Sequence, residues 1–267
     1  MSFFETKNRK ELTKTLFKII FLKSFFIILV FFILALMNCS SVEERFIEAC
    51  ADGDMQKVKE LEPKIKSINS KEERGWSAIT AASSQGQIEI VKYLISKKAN
   101  VNSRNNLGDT ALYRATTNNH IDIVKLLFEN GASLSIKDNK GETPLMKAAK
   151  KGYPDLTKFF LEKKVNPNEI KLPKIDEDTA LFSAIKDNQL ETTKLLIEFK
   201  ADVNHKNHIG DTPLHLAVQT GNLKLVKLLL SSGAKLSLNY LGVSPLDIAL
   251  DSSNETIYKE LSKENLK

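Results

Sequence analysis

From residue 42 onward the apolar positions fall into blocks that repeat along the chain. Ile88, Ile90, Val91, Leu94 and Ile95 share one face of a helix. A shorter block precedes them, opened by Ser77 and closed at Gly86. Hydroxyl residues suited to a helix start stand at Ser77, Thr110, Thr143, Thr179, Thr212 and Ser244, at spacings of 33, 33, 36, 33 and 32 residues. Nine residues after each comes Gly86, Asn119, Gly152, Asn188, Gly221 or Ser253. These are small or left-handed-tolerant types that end a helix with little strain. The pattern predicts an all-α chain made of one repeating unit: a short helix, a tight turn, a longer helix and a loop.

Each element has a physical reason. A Thr or Ser hydroxyl caps the first helix, and a proline behind it occupies a turn whose N–H needs no helical partner. Leucine and alanine then fill the contact between units. A period of 33 with Thr-Pro-Leu-His-x-Ala resembles the ankyrin repeat. Thr212-Pro213-Leu214-His215-Leu216-Ala217 matches that motif throughout, while Thr143–Ala148 and Ser244–Ala249 match in part. The loop tails Ala99-Asn100-Val101-Asn102 and Ala201-Asp202-Val203-Asn204 are similar to the family's Gly-Ala-Asp-Val-Asn ending. The resemblance implies an ankyrin-repeat solenoid of about seven repeats.

A capping repeat is expected over 42–73, holding Pro63 in its loop, and six further repeats over 74–267, beginning near Gly75, Gly108, Gly141, Glu177, Gly210 and Gly242. Polar outer faces are expected on the terminal repeats, for solubility. The 36-residue interval marks a three-residue insertion near 165–178, where Glu177 replaces the hairpin glycine. It is expected to enlarge that hairpin finger, either for function or as a tolerated insertion.

Residues 1–38 read differently. Phe25 to Met37 form an unbroken apolar run behind Lys7, Arg9, Lys10, Lys14, Lys18 and Lys23. Thirteen residues suit the core of a secretory signal and fall short of the roughly 20 of a spanning helix. Ile19-Ile20-Phe21-Leu22 keeps an uncleaved anchor open. Leu36-Met37-Asn38-Cys39 resembles the lipobox of bacterial lipoproteins, which implies lipidation at Cys39 and a short tether over 39–41. Asn38 departs from the usual small residue, and plain secretion is the third outcome. With basic residues before the run, each places the repeats outside the cytoplasm.

Charge changes the picture little. The chain carries +6, but residues 1–38 hold +4 of it, so the repeats are close to neutral. Lys59, Lys92, Lys125, Lys158, Lys194 and Lys227 recur at the repeat period, and four follow an acid by three positions: Glu89, Asp122, Asp155 and Glu191. That is a mixed solvated face with no aromatic stacking series, so nucleic acid is not an expected partner. His120, His205, His208 and His215 lack the spacing of a zinc site. His215, at its motif position, is expected to make structural hydrogen bonds. No phosphate-cradling loop or nucleophile elbow occurs. The expectation is a non-enzyme with no cofactor, metal or small-molecule substrate. Cys50, in Ala49-Cys50-Ala51, reads as a buried thiol.

The surface is what is left. Ankyrin proteins generally bind other proteins through the hairpin tips and the exposed side of the first helices. Those positions here are Trp76, Leu107, Lys140, Lys150, Lys151, Lys186, Ile209, Tyr240 and Leu241. Apolar groups beside lysines suit interface anchors; alternatively Leu107, Ile209 and Leu241 pack between adjacent hairpins. The resemblance implies a monomeric, membrane-tethered scaffold for a protein partner in the cell envelope, or a secreted effector that binds host proteins.

Overall fold

A computed structural model describes residues 40–172 and 176–264. Cys39 and the whole leader lie outside the described residues. Successive first helices are α1 (Val42–Asp52), α3 (Ala78–Ser84), α5 (Ala111–Thr117), α7 (Pro144–Lys151), α9 (Ala180–Lys186), α11 (Pro213–Gln219) and α13 (Pro245–Asp251). Their second helices are α2 (Met55–Leu61), α4 (Ile88–Ser96), α6 (Ile121–Glu129), α8 (Pro154–Glu162), α10 (Leu190–Glu198), α12 (Leu223–Ser231) and α14 (Glu255–Glu264). Among the described residues there is no strand, only two isolated bridges, and no helix long and apolar enough to cross a membrane. The fold is an all-α repeat solenoid.

Helices of seven residues do not persist alone in water; these exist because they stack. Each first helix packs on its own second helix and on the first helices beside it. Leu112, Leu145, Leu181 and Leu214 are fully buried in those joins, as are Ala115, Ala148, Ala184 and Ala217. Cys50 lies in the same core, and burial pushes its thiol up to about 12.

All six predicted hydroxyl residues are N-caps, but only Thr110, Thr143 and Ser244 accept an amide hydrogen at the side chain, from Tyr113, Met146 and Asp247. Ser77 instead bonds Thr80 through its hydroxyl, and Thr179 makes no side-chain cap. At the other end of the first helices the expectation holds throughout. Gly86, Asn119, Gly152, Asn188, Gly221 and Ser253 all have positive φ, between 55° and 79°.

Three sets of hydrogen bonds tie neighbouring units. Finger amides donate to the preceding finger: Asn106 to Arg74, Asn139 to Leu107 and Tyr240 to Ile209 carbonyls, at 2.9–3.1 Å. Lys71, Arg104, Lys137 and Lys206 donate to carbonyls of the next finger, at Arg104, Lys137, Ile170 and Leu238. On the loop side, Asn102 accepts from Ser133 N–H and donates to the Gly131 carbonyl; Asn168 and Asn204 do the same one repeat further on.

One expectation needs correction, and the inserted finger has a feature of its own. The insertion closes on itself: Leu172 and Asp176 exchange backbone hydrogen bonds of 2.7 and 2.9 Å, and Lys171 N–H donates to the Asp178 carbonyl. The carbonyl of Asp176, in register with those of Arg74 and Leu107, is thereby occupied within its own finger. The C-terminal repeat is not polar throughout. Leu250 is 62% exposed, although its register holds the buried Ser83, Thr116, Ala149, Ile185 and Val218 in the preceding repeats.

Candidate protein-binding surface

The fingers project large apolar side chains on well-tied backbone. Leu107, Ile209, Tyr240 and Leu241 are all exposed, Leu241 to 79%. The carbonyls of Leu107 and Ile209 meanwhile hold the next finger, so the tips are anchored through backbone while their side chains face outward. Trp76 is half-buried, with the Arg114 guanidinium 4.9 Å from its ring centre. Tyr240 carries Lys206 in the same way at 5.7 Å.

Of the basic candidates, Lys140, Lys151 and Lys186 are exposed. Lys150 is half-buried, 4.0 Å from Glu142, which also binds Lys147 at 2.6 Å. The lysines of α7 therefore face a carboxylate of their own chain. Burial works to raise the Glu142 pKa, but the Lys147 hydrogen bond and charge, with Tyr113 and Lys150, hold it below the ordinary value.

Glu142 belongs to a register that sequence reasoning passed over. The residue just before each capping hydroxyl is Asp109, Glu142, Asp178 or Asp211 in four successive repeats. Asp109, Glu142 and Asp211 are buried and Asp178 half-buried, under the fingers and beside the first helices. Burial raises Asp109 against the pull of Arg114, and burial with the Asp176 charge raises Asp178. The signal was present as one acidic residue at a fixed offset from the hydroxyl, but its meaning depends on neighbours that only the fold supplies.

His215 makes the structural hydrogen bonds expected at its motif position. His215 Nδ1 accepts from the Thr212 amide at 3.1 Å, with the Thr212 hydroxyl at 2.8 Å. A carbonyl can only accept, so His120 and His205 each donate from Nε2, to Ser84 of the repeat before and to Glu177 of the preceding finger. Among the described residues no group of three or more His, Cys, Asp or Glu is placed to hold a metal. The lysine ladder lies on the second helices: Lys92 pairs with Glu89 and Lys194 with Glu191, while Lys158 turns to Glu162 and Lys227 to Glu260.

Comparison with known proteins agrees with this geometry. Family models for ankyrin repeats match residues 46–138, and residues 117–161 and 181–230. The stretch between the last two matches is the one with the insertion. The chain belongs to the ankyrin-repeat family. The crystal structure of the human ASB11 ankyrin repeat domain superposes with a TM-score of 0.68 at 28% identity, covering 76% of this chain and 90% of that one. An I-Kappa-B like protein, G2, of Microplitis demolitor bracovirus is 39% identical over 82 residues, 30% of this chain and 49% of that protein. Human palmitoyltransferase ZDHHC13 is 38% identical over 86 residues, 32% of this chain and only 14% of that protein. The matches thus span half or less of these curated relatives.

Proposed function

We propose that this chain is a non-catalytic scaffold that binds a partner protein through its fingers and the adjoining first helices. The observation that carries the reading is the set of exposed Leu107, Ile209, Tyr240 and Leu241 on fingers each tied through backbone to a neighbouring finger. Exposed apolar groups on rigid, pre-ordered backbone bind with little loss of conformational entropy. The human ASB11 domain supports the fold on which the reading rests.

The scaffold is held at a membrane by its N-terminal segment, with the repeats outside the cytoplasm. The basic residues before Phe25–Met37 and the Leu36-Met37-Asn38-Cys39 ending support this part. Two measurements test the proposal. Fatty-acid labelling of the cells should mark the chain at Cys39, and loss of label in Cys39→Ser should release it from membranes; an intact Met1 or an unmodified Cys39 defeats the lipid anchor. A photoreactive residue at position 240 should cross-link one protein repeatedly, whereas one at position 125, on the ladder face, should not. Equal cross-linking from both positions would defeat the assignment of the binding face.

A further inference from the structure

Repeats three and four neutralise their buried acids internally. Arg114, four residues after the capping Thr110, lies 3.5 Å from Asp109. Lys147, four residues after Thr143, lies 2.6 Å from Glu142, and Lys150 stands 4.0 Å away. In repeats five and six the acids persist as Asp178 and Asp211, but the residues at the Arg114 and Lys147 register are Ser183 and Leu216. At the Lys150 register, repeat five has Lys186, whose charge acts on Asp178, and repeat six has Gln219.

Asp211, only 6% exposed, is therefore held by neutral amides: Asn239 Nδ2 at 2.8 Å and Gln219 Nε2 at 3.4 Å. Asp178 receives Asn207 Nδ2 at 3.5 Å. A groove of about 300 Å³ opens between the two carboxylates, walled by Phe182, Leu216 and Ile209. Its one lysine is Lys186, against Asp176, Asp178 and Asp211. Asp176 is already paired with Lys171 at 3.3 Å. Next to the groove, the Tyr240 amide bonds the Ile209 carbonyl, so the exposed Tyr240 and Leu241 continue its apolar wall.

We propose that this groove takes a lysine or arginine side chain from an extended segment of the partner protein, with apolar neighbours of that residue resting on Ile209, Tyr240 and Leu241. The inference rests on the protein-binding reading and names the chemistry of its partner. Asp109 with Arg114 and Glu142 with Lys147 are internal templates, showing which group this register accepts. Apolar walls suit the aliphatic stem of such a side chain and strengthen the charge pair at its end. The raised pKa of Asp178, caused by burial and by Asp176, adds that a bound cation should favour its ionised form.

The test is a random peptide library displayed on phage, selected on the full chain in detergent. Enriched peptides should carry Lys or Arg beside a bulky apolar residue. For a synthetic peptide of the enriched sequence, Asp178→Asn should raise Kd about tenfold, and replacing the peptide's cation by alanine should erase that difference. Leu216→Lys, which installs the cation of repeat four, should also weaken the peptide about tenfold without lowering Tm. Acidic enriched peptides, or a Kd that neither substitution moves, overturn this inference and leave protein binding standing. No enrichment above a heat-unfolded control defeats both.

Discussion

His215 reaches from one repeat into the next, with its Nε2 3.1 Å from the Val243 carbonyl while its Nδ1 holds the Thr212 cap. One neutral ring thus orders a helix start and a repeat junction together. Protonation would replace the Nδ1 acceptor with a donor facing the Thr212 N–H.

That geometry sets a pH dependence. Burial is the main force lowering the folded-state pKa of His215 below its ordinary value of 6.5. The unfolded chain therefore binds more protons between the two values. The contribution is fully present above about pH 6.5 and is lost as pH falls through the folded pKa. Urea unfolding of the wild type should show stability declining below about pH 6.5, and His215→Gln should flatten the decline in that window. Identical pH profiles would remove His215 as the cause.

The loop-side amide series has a gap. Asn102, Asn168 and Asn204 each stand where repeat three has Ser135, and a cavity of about 350 Å³ opens there, lined by Ser135, Lys164, Val165 and Asn166 among others. Ser135→Asn should supply an acceptor for the Asn166 amide and a donor for the Lys164 carbonyl. Stability should rise by about 1–2 kcal/mol, read as a higher urea midpoint at unchanged m. A neutral or destabilising result would show that the loops do not share one geometry.

Backbone strain offers an independent test. Lys98, Lys164 and Lys200 have φ of 61–67°, at the register where other repeats have Gly131 and Gly233. A side chain at such a position costs about 1 kcal/mol relative to glycine. Lys200→Gly should raise Tm by several degrees, whereas Gly233→Ala should lower it. The two changes together separate local strain from a general effect of surface charge.

Much of this was legible in the sequence because each repeat states it again. A single Thr before a proline means little, but six hydroxyls each followed nine residues later by Gly, Asn or Ser define both ends of the first helices. All six later residues do have positive φ. What was not legible depends on contacts between repeats. Nothing local to Leu172 and Asp176 announces that they bridge. Lys150 reads as an exposed cation until Glu142 is placed beside it. The buried acids were passed over because their cations lie five positions on, in Arg114 and Lys147, on a different element.

The central claim is that the finger side, and not the second-helix side, binds the partner. Its most direct measurement is the affinity of folded variants for the protein cross-linked at position 240. Tyr240→Ala with Leu241→Ala should raise Kd at least about tenfold, mainly through faster dissociation. Lys125→Glu with Lys158→Glu, on the ladder face, should leave Kd within about twofold, since exposed rim charges contribute little. Loss of binding in the Lys125 and Lys158 variant, with the Tyr240 and Leu241 variant unaffected, would contradict the account.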